Sequence, residues 1–289
     1  MMTRFGILTA LLTPFAADGS IDGNRLARHA AAVVDRGASG VTLFGTTGEG
    51  ASIAAPEREA GIHALLETGL SGSQIVLGVY GSAVADAAAQ IDEGLRAGIT
   101  RFLVPPPCYF GNADEDGVFQ WFAELLALCN SQAGIILYNI PQVTGVGISP
   151  SLTRRLKEAY PDQIIAIKDS SGDWTNAVRL LDSKLLPVLI GDERLLHKAI
   201  PLGCVGSIAG VANLYPERLC KIVDSATEDT MLSRTVDRIV AQPVIPTLKV
   251  LLANALHDPI WENLRAPLTQ LSAEQKSQIL ALEGKGVAA

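Results

Sequence analysis

Apolar residues in this chain come in short runs, each closed by glycine, proline or small polar residues. The runs are Gly6 to Leu12, Val41 to Phe44, Ile75 to Tyr80, Arg101 to Val104, Gly134 to Asn139, Ile164 to Asp169, Leu186 to Gly191 and Cys204 to Ala209. They are rich in β-branched residues and do not alternate with polar ones, which predicts strands buried on both faces, as in parallel sheets. Helical stretches separate them: Asp22 to Arg36 with Gly37 as its stop, Pro56 to about Leu70, Ser82 to Ala97 before Gly98, Glu115 to about Asn130, and Ser149 to Ala159. Strands recur about every 20 to 35 residues, the spacing of βα units. Eight such units predict an α/β fold, the (β/α)8 TIM barrel. A doubly wound open sheet would carry a GxGxxG turn after the first strand, and Thr13-Pro14 stands there instead. Beyond Pro216 there is no strand pattern, only helical periodicity around Leu219, Val236, Leu248 to Leu256 and Ile279. The expected division is a catalytic barrel over 1–215 and a C-terminal helical extension over 216–289.

Composition narrows the function classes. The 289 residues are 48% hydrophobic and 18% charged, so a large core can form. The net charge of −7 argues against nucleic acid or an anionic membrane as partner. No apolar run reaches the length of a membrane span, and Met1 to Phe5 lead into the first strand without a signal-peptide core, so a cytoplasmic location is expected. Cys108, Cys129, Cys204 and Cys220 are scattered without a CxxC pair and read as reduced thiols. His29, His63, His197 and His257 fall in helical stretches, away from strand ends, so no metal site is expected.

The chemistry gathers at strand C-termini, where a barrel places its active site. Ile164-Ile165-Ala166-Ile167 runs straight into Lys168. Strand alternation puts Ile164, Ala166 and Lys168 on one face, and Ile165, Ile167 and Asp169 on the other. An amine held among apolar side chains, with no adjacent charge on its face, is disfavoured as an ammonium. A neutral amine is a nucleophile toward carbonyls. The alternative is a lysine whose head snorkels to water. Thr46 and Thr47 follow the second strand, Tyr109 the fourth, Tyr138 ends the fifth, Gly191 the seventh and Ile208 the eighth. Tyrosine hydroxyls can shuttle protons, and hydroxyls or a glycine-rich turn can bind a carboxylate. Taken singly, Gly45-Thr46-Thr47-Gly48-Glu49 could be only a turn, and either tyrosine could belong to the core.

Together, Gly45-Thr46-Thr47-Gly48-Glu49, Tyr138-Asn139-Ile140-Pro141 and the strand ending in Lys168 resemble the signatures of the dihydrodipicolinate synthase and N-acetylneuraminate lyase family, and the likeness extends over essentially the whole chain. The resemblance implies a class I aldolase that uses no cofactor and acts on pyruvate and an aldehyde. By that resemblance Lys168 forms the imine with the 2-oxo acid, Tyr138 relays protons, Thr46 links two tyrosines, and Thr47 binds the substrate carboxylate. Tyr109 matches a tyrosine lent across a subunit interface, which implies a homo-oligomer, a tetramer in that family. The backbone at Ile208 matches a position beside bound pyruvate. The synthases carry an arginine two residues after Tyr-Asn-x-Pro, and Val143 stands there in this chain. Asp192 and Glu193 resemble the acidic pair by which neuraminate lyases hold sugar hydroxyls, or else cap the helix that follows. A 2-keto-3-deoxy sugar acid or a 4-hydroxy-2-oxo acid is therefore the expected substrate, ahead of aspartate semialdehyde. The remaining alternatives are a true 4-hydroxy-tetrahydrodipicolinate synthase, an N-acetylneuraminate lyase, a keto-deoxy acid dehydratase, a metal-dependent barrel lyase, and a keto-acid-binding regulatory relative.

Overall fold

The computed structural model describes residues 5–283. Eight parallel strands close on themselves in chain order: β1 (Gly6–Ala10), β2 (Gly40–Leu43), β3 (Ile75–Gly78), β4 (Arg101–Val104), β5 (Gly134–Asn139), β6 (Ile164–Asp169), β7 (Val188–Ile190) and β8 (Gly206–Ala209). The helices are α1 (Gly23–Asp35), α2 (Ala55–Leu66), α3 (Val84–Arg96), α4 (Glu115–Leu128), α5 (Pro141–Thr144), α6 (Pro150–Ala159), α7 (Trp174–Ser183), α8 (Leu196–Ala199), α9 (Pro216–Ser225), α10 (Thr230–Val240), α11 (Val244–Leu256) and α12 (Ala273–Glu283). This is the (β/α)8 barrel that the strand spacing predicts, with helices beyond it. Local chemistry sets the helix starts. Asp22, Asp114, Ser149, Asp173 and Asp229 each accept a backbone N–H in the first turn of the helix that follows. Gly37, at φ +103, takes the left-handed conformation that ends the first βα unit's helix.

Side chains alternate across the strands into two apolar layers. Leu8, Ala10, Val76, Leu103, Ile136, Tyr138, Ala166, Leu189 and Ile208 fill the barrel, while Ile7, Val41, Leu77, Phe102, Leu137 and Ile190 pack outward against helices. The expected alternation along β6 fails at its start. The register between β5 and β6 shifts between Ile135 and Ile136, so Ile165 has no partner residue on β5. This irregularity turns Ile164 outward into the same layer as Ile167, and Ile165 packs on the inner cluster instead. From Ala166 the alternation is restored, and Ala166 and Lys168 both face the barrel axis side.

Strands are shorter than their apolar runs. Leu11 and Leu12 lie beyond β1, Val79 and Tyr80 beyond β3, and Cys204 and Val205 before β8, all in connecting backbone. α9 lies against β1 and α8. α10 and α11 extend over the C-terminal end of the barrel, where they line the same cavity as the strand-end residues. The four cysteines form no disulfide, and burial pushes the Cys204 thiol up to about 11. Among the described residues no helix is long and apolar enough to cross a membrane.

Candidate active site

A cavity of about 450 Å³ opens at the C-terminal end of the strands. Lys168 lies at its base, 5% exposed. β5 and β6 pair in register Tyr138↔Lys168, which sets both inward-facing side chains side by side. The Lys168 Nζ sits 4.2 Å from the centre of the Tyr138 ring. The outward-facing neighbours lock this pair. Asn139 Nδ2 donates to Asp169 Oδ1 at 2.9 Å, Ile148 N–H donates to Asn139 Oδ1 at 2.9 Å, and Asn176 Nδ2 donates to Asp169 Oδ2 at 3.1 Å. Asp169 thus points away from the cavity, as strand alternation predicts.

The β2 loop brings the threonines. Phe44 has φ 55, a left-handed conformation that a bulky residue adopts only when its surroundings enforce it. A Cβ at Gly50 or Gly78 would collide with the Phe44 carbonyl, and one at Gly61 would come within 2.5 Å of its ring. The chain therefore reverses sharply after β2 and presents Thr46 and Thr47 to the cavity. Glu49 closes the loop from below. It is also left-handed, at φ 56, and forms a buried ion pair with Lys249 of α11 while accepting the Arg265 N–H at 2.9 Å.

Thr46 Oγ1 is 3.3 Å from the Tyr138 hydroxyl and also 3.3 Å from the Tyr80 hydroxyl. Burial, and then the nearby Tyr138 phenol, push the Tyr80 phenol up. Tyr80 was not among the sequence candidates because it closes an apolar run and reads as part of a strand. Its place just past β3 is the same signal that marks Tyr138.

The structure gathers Lys168, Tyr138, Thr46, Thr47, Val143, Gly191 and Ile208 around one cavity. It does not bring Tyr109 there. Tyr109 is 83% exposed, in edge-on contact with Phe110, which is 72% exposed. Gly191 is needed where it stands, since a Cβ there would collide with the Ser170 hydroxyl.

Asp192 and Glu193 part company. Asp192 accepts the Arg194 N–H at 3.1 Å, the cap reading, and holds the Arg194 guanidinium at 2.9 and 2.7 Å. Glu193 instead reaches across to the turn after β8, where its Oε1 accepts the Val211 N–H at 3.0 Å. Burial raises the Glu193 carboxyl above its usual range, and the Lys168 charge acts in the opposite direction. The strand pattern alone left Lys168 without a nearby charge; the fold supplies Glu193 from the next strand end. Sequence reasoning also missed the cavity's far wall, formed by Val236, Ile239, Val240, Val244, Ile245 and Leu248 of α10 and α11. No group of three or more His, Cys, Asp or Glu suited to a metal ion occurs among the described residues.

The chain is similar to known proteins over nearly its whole length. The model of the Dihydrodipicolinate synthetase family matches residues 3–283. A solved structure of dihydrodipicolinate synthase from Agrobacterium tumefaciens str. C58 is 39% identical, with a TM-score of 0.95 over 98% of this chain and 100% of that one. An uncharacterized DapA-like lyase of Chloroflexus aurantiacus is 31% identical over 285 residues, 96% of this chain and 95% of its own length. A 4-hydroxy-tetrahydrodipicolinate synthase of Chlorobium chlorochromatii is 30% identical over 287 residues, 94% of this chain and 93% of its own.

Proposed function

The chain belongs to the dihydrodipicolinate synthetase family of pyruvate-dependent carbon–carbon lyases, and from that premise we propose that it cleaves or forms a 2-oxo acid through an imine on Lys168. The carrying observation is the buried Lys168 amine, 4.2 Å from the Tyr138 ring, at the base of a cavity that Thr46 and Thr47 also line.

In this reading the Lys168 amine adds to the C2 carbonyl of a 4-hydroxy-2-oxo acid or a 2-keto-3-deoxy sugar acid. Water leaves, and a protonated imine remains. That cation draws in the electron pair of the C3–C4 bond as the C4 hydroxyl gives up its proton, so an aldehyde departs and an enamine forms. Protonation at C3 and hydrolysis release pyruvate and the free lysine. Tyr138 is the group placed to move these protons, with Thr46 as its hydroxyl partner. A positioned acid–base group contributes about 10²–10⁴-fold in rate. Thr47, the backbone at Ile208, and the turn at Gly191 surround the 2-oxo acid end. The reverse direction uses the same groups to add pyruvate to an aldehyde.

Val143 supports an acceptor without the carboxylate of aspartate semialdehyde, since valine has no donor for it. The exposed Tyr109 and Phe110 support a homo-oligomer, a tetramer on the family resemblance, in which Tyr109 serves a neighbouring copy. Assays of pyruvate release from 2-keto-3-deoxy acids, neuraminate and 4-hydroxy-2-oxo acids test the reading. Aspartate semialdehyde is to be consumed far more slowly, and a clear preference for it would overturn the substrate assignment.

A further inference from the structure

We propose that the outer half of the cavity is an apolar subsite, so that the substrate is a 4-hydroxy-2-oxo acid carrying an uncharged alkyl or aryl group at C4. This rests on the imine reading above and narrows its substrate class. The α10–α11 wall presents only aliphatic side chains: Val236, Ile239, Val240, Val244, Ile245 and Leu248. It starts deep in the site. A Cβ on Gly210 would lie 3.2 Å from Leu248 Cδ1 and 3.4 Å from Thr47 Oγ1, so the wall begins beside the threonine that faces the 2-oxo acid. It continues to the mouth at Val240 and Val244, which are 46% and 41% exposed. Val143 adds an apolar side chain to the same cavity.

On the opposite, polar rim the cation and the amide are already paired. Apart from Lys168, Arg194 is the one lysine or arginine among the cavity's described lining residues. Its guanidinium is held by Asp192 and by Asp237 at 2.8 Å. The Gln142 amide donates to the Ser170 carbonyl at 2.7 Å. A distal carboxylate would find no free cation, and a polyol would leave hydroxyls unpaired against valine and isoleucine. An alkyl or aryl group meets neither penalty.

The test compares pyruvate release from 4-hydroxy-2-oxo acids whose C4 substituent is phenyl, butyl, carboxyl or polyol. Expected kcat/KM is at least about tenfold higher for phenyl and butyl than for carboxyl or polyol. In Val240→Ser and Val244→Ser, both at partly exposed positions, that ratio falls toward one. A carboxyl or polyol substrate ranked equal or first overturns the subsite. Borohydride trapping with pyruvate separates the two claims: an adduct on Lys168 with the reversed ranking defeats only the subsite, whereas no adduct defeats the imine reading itself.

The Tyr80 geometry independently carries a second inference. We infer that Tyr80 is a further phenol of the proton relay, supplied by the same chain and additional to any tyrosine from a neighbouring copy, linking the cavity through Tyr138 and Thr46 to a separate opening. Thr46 Oγ1 stands 3.3 Å from each phenol, long for O–H···O bonds but within the range of substrate-free catalytic contacts. Tyr80 lines a different cavity of about 540 Å³, together with Arg58, Gln90 and Glu93. Its backbone is fixed there, with Tyr80 N–H donating to Gln90 Oε1 at 3.0 Å. Arg58 is 2% exposed, its Nη2 donates to the Gly78 carbonyl at 2.7 Å, and its Nε lies 3.6 Å from a Glu93 carboxylate oxygen. Burial and the Tyr138 phenol keep the Tyr80 hydroxyl protonated at rest, and the Arg58 charge acts the other way. Each hydroxyl passes on its own proton and takes its neighbour's, so one proton crosses from the reaction cavity to the outer one with no net change in the chain.

Exchange of the pyruvate methyl protons in D2O, followed by NMR, reads this relay without any aldehyde. Tyr80→Phe is to slow exchange about 10²-fold and alter its pH profile, while borohydride still traps pyruvate on Lys168. Wild-type exchange in Tyr80→Phe overturns the inference. So does loss of trapping in step with exchange, which would mark Tyr80 as structural support only.

Discussion

Val143 stands where the family resemblance implies an arginine in the synthases. The side chain is 59% exposed at the cavity, so an arginine placed there has room to reach a substrate carboxylate. Val143→Arg is expected to raise kcat/KM for a carboxylate-bearing acceptor by about tenfold or more, the scale of one charge-assisted pair; no gain in steady-state assays would show that the acceptor does not approach residue 143. Lys168, Tyr138, Thr46 and Thr47 were legible in the sequence because each follows or ends an apolar run, and a barrel turns all such positions toward one mouth. The valines and isoleucines of α10 and α11 were not. Their facing depends on how the last helices dock, and no local pattern encodes that. Tyr80 was concealed by its own run, Ile75 to Tyr80, which reads as strand although β3 ends at Gly78.

At the scale of elements, the β2 loop and the β5–β6 pair do most of the positioning. The loop holds two left-handed non-glycine residues, Phe44 and Glu49, a conformation costing of order 1–3 kcal/mol each. It persists because Glu49 and Lys249 pair in the interior, both essentially without solvent exposure. Lys249→Met leaves the Glu49 carboxylate buried beside only a backbone donor and is expected to lower stability by about 3–5 kcal/mol in urea denaturation. Adding Glu49→Gln should recover part of that loss, and a single variant as stable as the parent would remove the pair from this account. Strand order and the existence of every barrel strand could be read from runs bounded by glycine and proline. Strand ends could not, because buried connecting residues such as Leu11 and Leu12 are as apolar as the strands themselves. The irregularity at Ile165 was equally hidden: both faces of β6 are apolar, so a one-residue offset leaves no mark on the pattern.

Across the whole molecule, α1 is tied to the barrel by a buried imidazole. The His29 Nε2 contacts Asn213 Oδ1 at 2.9 Å, and the Asn213 amide donates to the Ala10 and Gly210 carbonyls, each at 2.7 Å. Burial depresses the His29 pKa to about 4 from 6.5. The unfolded chain therefore binds a proton that the folded chain refuses, so stability is full above about pH 6.5 and declines as pH falls toward 4. The loss approaches about 3 kcal/mol at the lower limit. Urea midpoints from pH 7 to 4.5 should fall less steeply in His29→Gln than in the parent, and parallel slopes would assign the acid sensitivity to other groups. The exposed Tyr109 and Phe110 make their own prediction at this scale: light scattering should give a mass above one chain, and Tyr109→Ala with Phe110→Ala should lower it. A parent protein that is monomeric and fully active would exclude an active site shared between copies.

The most direct measurement is borohydride reduction of the protein in the presence of pyruvate, followed by peptide mass spectrometry. A single three-carbon adduct is expected on Lys168, absent without pyruvate and absent in Lys168→Arg. A protein that turns over its substrate yet carries no adduct, or carries it on another lysine, would contradict the imine reading.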